Sequence, residues 1–394
     1  MKPRAVTGLG VVSAVGVGKD SFFQALSEAA PLANAPYRPI ESFDATNYPN
    51  AHNTVYEVPH FDPTKYLGDK GLRTLDRLTK LLVVAARLVM HDSGFKRDGI
   101  YVQSSPERVG ICCSNAYGSL EAITELDRVA QLEDARYINP AKFPNTVSNS
   151  ASGYASIWED LRALNVSVSD GNCGALDAVA CADIYLETKR ADALLVGGAE
   201  AMSEALYLAF RRLGVVGKGT LLGEGAALFM LEPLEHARAR KANVRGEVIG
   251  YGTTFHGPEG EELIFASAEA MESAIRIAIA DAGVEPSDIS VVASSVSGIK
   301  AHDDAEIAAI SRVLGDVPIA APKSILGETL GAGGAMGMAA ALAWFGGAVP
   351  SPIVSPLFST PSATTRLHRV SHVLVTSIGY YGNASAVVMR APRA

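Results

Sequence analysis

The sequence predicts an α/β protein built from one unit used twice, and three observations predict it. Apolar runs such as GICCS, ALLVGGA and HVLVTSIG are continuous rather than alternating, the pattern of strands covered by helices on both faces. Between them lie stretches with apolar residues at helical spacing, two of which stop at a glycine. The succession β–α–β–α–β occurs in both halves of the chain.

In the first half, residues 78–95 (LTKLLVVAARLVMHDSGF) form an amphipathic helix that stops at Gly94. Residues 106–118 (PERVGICCSNAYG) follow as a strand, and residues 119–132 (SLEAITELDRVAQL) as a second helix. Residues 266–284, 286–298 and 303–314 take the same three places in the second half. Each half then closes alike. Residues 165–201 give a strand, a turn, a small-residue helix and a strand; residues 317–347 give a strand, a turn and a small-residue helix, with the strand HVLVTSIG to follow. The charged segment LEHARARKANVRG marks the join, so the halves are expected at residues 1–240 and 241–394.

With 394 residues, 48% of them hydrophobic and 19% charged, the chain can bury two packed halves. Its Ala- and Gly-rich profile suits close helix–sheet packing and a large subunit interface. A net charge of −8 without any Lys/Arg run disfavours a nucleic-acid partner. The four cysteines, Cys112, Cys113, Cys173 and Cys181, contain no CxxC pair, which excludes a disulfide framework and a zinc site and points to a reduced, cytoplasmic protein. The N-terminus lacks the apolar region of a signal peptide, and no run of about 18 apolar residues predicts a membrane span. GLGVVSAVG has Ser13 where a dinucleotide loop needs its third glycine, and reads as a tight strand-to-helix turn. Asp76–Arg77 reads as an ion pair or helix cap.

Several segments, in order, carry a resemblance: GLGVVSAVGVGKDSFFQAL, FDPTKYLGDKGLRTLDRLTKL, ADALLVGGAEA and SIGYYGNASAVVM. Together they resemble the β-ketoacyl-carrier-protein synthases from about residue 3 to residue 391. The resemblance implies the thiolase-like fold, with duplicated βαβαβ halves in a layered α-β-α-β-α arrangement. It also implies three catalytic positions. A Cys thiolate at a helix N-terminus takes the acyl chain, helped by the helix dipole, and two imidazoles serve decarboxylation and thioester polarisation.

Aligned without gaps, this chain has none of the three. SVSDGNCGALDAVACAD puts Asn172 at the Cys position, and an amide forms no useful acyl-enzyme. Cys173 is one residue on, rotated by about 100° around the helix, and reads as a small buried thiol. DISVVASSVSGIKAHDDAE puts Ser295 at the first His. Ser297 and Ile299 replace two pantetheine-holding threonines, and Asp303 and Glu306 keep the later acidic pair. His302 falls on the family's Asn and reads as a surface residue or one behind the site. PIAAPKSILGETLGAGGA keeps Lys323 and puts Glu328 at the second His. A carboxylate donates no hydrogen bond unless protonated, and Lys323 is expected to keep Glu328 ionised.

In this the chain resembles the chain-length factors, the β subunits of type II polyketide synthases, which lack this chemistry and pair with a Cys-bearing sister subunit. Many carry Gln at the nucleophile position, followed by a small-residue stretch and L-D-A; here NCGALDA has Asn. The resemblance implies a heterodimer with a catalytic ketosynthase, access to an acyl carrier protein through that complex, a growing polyketide or polyene chain as the guest, and no metal or cofactor. It places Leu120, Ile123 and Asp127, or Thr124 if the register slips, on a helix beginning near Gly118 that closes the product tunnel. Asp127 would be costly if buried there. Ile378 and Tyr380 match the family's aromatic gate. Leu120, Ile123 and Tyr380 are also ordinary core residue types. Rival readings are a self-sufficient β-ketoacyl synthase-like acyltransferase using Cys173, a malonyl decarboxylase, which the missing histidines disfavour, and a structural homodimer.

Overall fold

A computed structural model describes residues 1–27, 37–48, 54–216, 220–258, 260, 262, 264–348 and 370–393. Its main strands are β1 (Arg4–Ser13), β2 (Val109–Ser114), β3 (Asn165–Val168), β4 (Ala193–Glu200) and β5 (Gly225–Pro233), then β6 (Gly246–Phe255), β7 (Val291–Ala293), β8 (Ile319–Ala320), β9 (His372–Ile378) and β10 (Asn383–Arg390). They lie in one sheet in the order β8-β7-β9-β10-β6-β1-β5-β4-β2-β3. Read inwards from each edge, the second half repeats the first strand for strand. The directions repeat too. β2 is parallel to β3 and β4, while β5 is antiparallel to β4 and β1. β7 is parallel to β8 and β9, while β10 is antiparallel to β9 and β6. The halves join through a short antiparallel seam, Arg4↔Val248, Ala5↔Glu247 and Val6↔Gly246.

Three apolar cores separate five layers. Helices Arg77–Asp92 and Ser150–Glu159 cover the first half-sheet outside, and Ala268–Ala282 and Lys300–Leu314 cover the second. Between the half-sheets run Gly174–Glu187 and Gly333–Phe345. This is the duplicated, layered thiolase-like fold that the sequence predicts. The outer helices start where the sequence supplies caps: Asp76 accepts from Thr79 N at 2.8 Å and Ser267 Oγ from Ala270 N at 3.0 Å, each worth about 1 kcal/mol. Arg77 pairs not with Asp76 but with the fully buried Glu224.

The central helices need their small residues. A Cβ at Gly334 would lie 2.7 Å from Leu176 Cγ, and one at Gly337 would lie 2.9 Å from Val375 Cγ1. Each helix is entered through a 3-10 turn, Gly171–Cys173 or Leu330–Ala332, and the two turns pack against each other. That meeting point holds the site. GLGVVSAVG forms the end of β1, a hairpin with Gly16–Val17, and the approach to helix Lys19–Ser27.

Candidate functional site

Gly171, in the left-handed region at φ 53°, turns the chain from β3 into the first central helix and leaves Asn172 at its mouth. Asn172 is buried. Its backbone oxygen accepts from Ser377 Oγ at 2.7 Å, and its Nδ2 donates to the Ile378 oxygen at 3.5 Å. Its Oδ1 has no hydrogen-bond partner among the described residues. The fully buried Cys173 donates its thiol to the Ser377 oxygen at 3.3 Å. Burial, and then Asp177 and Asp170, push that thiol well above its ordinary pKa. It is a protonated thiol bonded to the backbone, in line with the buried-thiol reading.

Ser295 follows β7. Its Oγ donates to Glu306 Oε2 at 2.8 Å and accepts from Ile378 N at 3.0 Å, and its own N–H donates to Glu306 Oε1 at 2.8 Å. Thr376 adds a third donor to Glu306 at 2.6 Å. Burial pushes Glu306 upward in pKa; the Thr376 and Ser295 donors and the charge of Lys323 oppose this. Asp303 accepts from Ser297 N and Gly298 N at 3.0 and 2.9 Å, fixing the turn into the helix that Ile299 precedes.

Lys323 reaches both oxygens of Glu328, at 2.9 and 2.7 Å, and Glu328 also accepts from Leu330 N at 2.9 Å. Both side chains are at most 4% exposed. Glu306 stands apart from this pair: it hydrogen-bonds Ser295 and Thr376 and feels Lys323 only through space.

His302 is not a surface residue. It is 4% exposed, its ring meets Tyr380 edge to face at 5.2 Å, and both its nitrogens lack partners among the described residues. Burial is the main force that lowers it to about 4, with Glu328 opposing and Lys323 reinforcing, so it is neutral at pH 7. The buried Tyr380 also meets Phe210, at 5.8 Å. Burial chiefly, and then Glu328, hold its phenol well above the ordinary value.

The expected tunnel helix is Leu120–Val129, capped by Ser119 and continued by a π turn, Ala130–Asp134. Leu120 and Ile123 do not share surroundings. Leu120 packs half-buried against the cluster of Met202, Phe210 and Tyr380, whereas Ile123 is 38% exposed. Thr124 Oγ1 donates back to the Leu120 oxygen at 2.7 Å. Asp127 is exposed in this chain and carries no burial cost there. Thr124 lines a charged cleft of about 730 Å³ together with Arg73, Arg77, Lys80, Glu121 and Arg128.

Sequence reasoning missed Glu200, although a Glu ending an apolar strand run was a visible signal. It accepts from Ala116 N at 2.7 Å and Gly331 N at 3.2 Å, and burial raises it to about 8. It thereby ties the two halves together beside the site. Among the described residues no group of His, Cys, Asp and Glu could hold a metal ion, and no helix is long and apolar enough to cross a membrane.

Asn172, Ser295 and Glu328 are thus brought to one place, around the turn that follows β9, in a layered fold of the thiolase-like, ketosynthase class. The chain belongs to the β-ketoacyl synthase family. Residues 1–237 match the β-ketoacyl synthase N-terminal domain and residues 245–353 its C-terminal domain. The 3-oxoacyl-[acyl-carrier-protein] synthase 2 of Vibrio cholerae is 30% identical over 84% of this chain and 83% of its own. The putative polyketide β-ketoacyl synthase 1 of Streptomyces virginiae is 29% identical over 98% and 97%. The ishigamide ketosynthase/chain length factor matches all of both chains with a TM-score of 0.85 and 25% identity.

Proposed function

We propose that this chain is the non-catalytic, chain-length-setting subunit of a polyketide or polyene ketosynthase pair. The observation that carries the reading is what fills the three positions where a condensing synthase keeps Cys, His and His. Asn172 offers no nucleophile, Ser295 is engaged with Glu306 and Ile378, and Glu328 is an anion held by Lys323. None is the thiol that takes the acyl chain in a condensing synthase, and none is an imidazole. The likeness to the ishigamide ketosynthase/chain length factor along the whole chain supports the same reading.

A partner synthase then supplies the Cys and both His and receives the acyl carrier protein, while this chain bounds the cavity in which the product grows. Two features support pairing. Leu132, Tyr137, Phe143, Val147 and Ile157 are large apolar side chains each at least half exposed. β3 lies at one end of the sheet, paired on one side only among the described residues.

The complex, given substrate on its acyl carrier protein and weighed subunit by subunit as intact protein, should carry acyl groups on the partner alone. An adduct on this chain that disappears in Cys173→Ala would overturn the proposal in favour of a self-sufficient acyltransferase.

A further inference from the structure

We propose that Asn172 and Ser295 have become a latch that holds the turn after β9 shut and keeps Tyr380 packed on Phe210 and His302. At the end of β9, where the turn begins, Ser377 and Ile378 present four polar groups besides the Ser377 N–H: Ser377 Oγ, the Ser377 oxygen, Ile378 N and the Ile378 oxygen. All four are bonded to the replaced positions or their neighbour. Ser377 Oγ donates to the Asn172 oxygen at 2.7 Å, and the Ser377 oxygen accepts from Cys173 at 3.3 Å. Ile378 N donates to Ser295 Oγ at 3.0 Å, and the Ile378 oxygen accepts from Asn172 Nδ2 at 3.5 Å.

The chemistry of the replacements suits this task. The Ser295 hydroxyl is donor to Glu306 and acceptor from Ile378 on one atom, close to its own backbone. An imidazole carries its nitrogens farther out and cannot put both functions at that point. A carboxamide gives Asn172 a donor that a thiol supplies only weakly.

The far side of the turn is fixed as well. Phe265 N donates to the Tyr380 oxygen at 2.8 Å, Gly382 N to the Phe265 oxygen at 3.1 Å, and His256 N to the Gly382 oxygen at 2.9 Å. Gly382 sits at φ 87°, and a Cβ there would lie 2.0 Å from the His256 backbone oxygen, so that residue must remain glycine for the turn to close. Between these anchors Tyr380 stands 4% exposed, its ring held by Phe210 and His302. The latch rests on this geometry and stands whether or not the chain pairs with a synthase.

Hydrogen exchange on the full chain, in whatever complex it is purified, tests it by reading the peptide that spans residues 376–382. In wild type that peptide should exchange as slowly as those of β9 and β10. Ser295→Ala and Asn172→Ala should each speed it at least tenfold without changing the peptides of helix Ala268–Ala282. Ser295→Thr, which keeps the γ-hydroxyl, should stay slow. The latch is overturned if the wild-type peptide exchanges as fast as exposed residues 133–139, a result that needs no variant to fold. It is equally overturned if both alanine variants leave the peptide within twofold of wild type, or speed every part of the molecule alike.

Discussion

Lys323 and Glu328 carry the largest energetic stake at the site, because each is nearly out of water and each is the other's only ionic partner among the described residues. Lys323→Met would leave Glu328 with one backbone donor and should cost about 3 kcal/mol. Lys323→Met combined with Glu328→Gln should recover most of that. Equal thermal melts for Lys323→Met and wild type would show that the pair has no such role. His302 gives the site a pH signature. Its folded value is about 4, below the ordinary 6.5, so the unfolded chain binds the proton more readily. Its contribution is complete above pH 6.5 and is lost as pH falls towards 4, about 3 kcal/mol in all. The raised carboxyls Glu200, at about 8, and Asp177, at about 7, run the other way: their stability is present at low pH and fades as pH rises through those values. The difference between wild type and His302→Phe therefore isolates the histidine. It should shrink between pH 6.5 and 4, and a difference constant over that range would refute the assignment. Residue by residue, it was the resemblance to the synthase motifs, not spacing alone, that singled out Asn172, Ser295 and Glu328 as one set. It could not place His302, because that ring is buried by Tyr380, which is remote in sequence and arrives only when the second half closes.

Helix Leu120–Val129 shows where periodicity stops being informative. A common face for Leu120 and Ile123 follows from their spacing, but which neighbour each meets depends on tertiary packing. Leu120 supports the Phe210–Tyr380 cluster and Ile123 looks outward. The two positions should then behave differently. Leu120→Ala should destabilise by about 2 kcal/mol, the low end for a half-buried leucine, and leave product length alone. Ile123→Trp should shorten the product by roughly one ketide unit with little change in melting temperature, since an added indole on the outer face takes up tunnel rather than core. Product distributions from the reconstituted pair, with melts alongside, decide. An unchanged product from folded, paired Ile123→Trp would remove this helix from length control. Other elements were only partly legible. The run VVASSVSG is strand only over Val291–Ala293, since the chain then turns away towards Gly298 at φ 94°. The π turn after helix Leu120–Val129 has no signature in apolar spacing.

Across the whole molecule the duplication was readable because both halves keep the same succession of apolar runs. The strand order was not, because periodicity says nothing about which edges meet, and the three-pair seam between β1 and β6 is too short to mark itself. The exposed apolar side chains Leu132 and Ile157 give a prediction at this scale. Leu132→Asp with Ile157→Asp should leave the chain folded, both residues being at least 75% exposed, and weaken co-elution with a partner synthase at least tenfold. Undiminished pairing would move the partner surface elsewhere. The packed entry turns of the two central helices have a consequence of their own. Each helix begins with unspent N–H groups and the positive end of a macrodipole, and duplication aims both at one spot. Such a field stabilises a transient negative charge. Here Glu328 sits in it permanently, accepting from Leu330 N in one entry turn. An intermediate's charge comes and goes with each turnover. On the function proposed above, this one is written into the sequence, and a potential suited to a passing anion serves instead to hold the protein together.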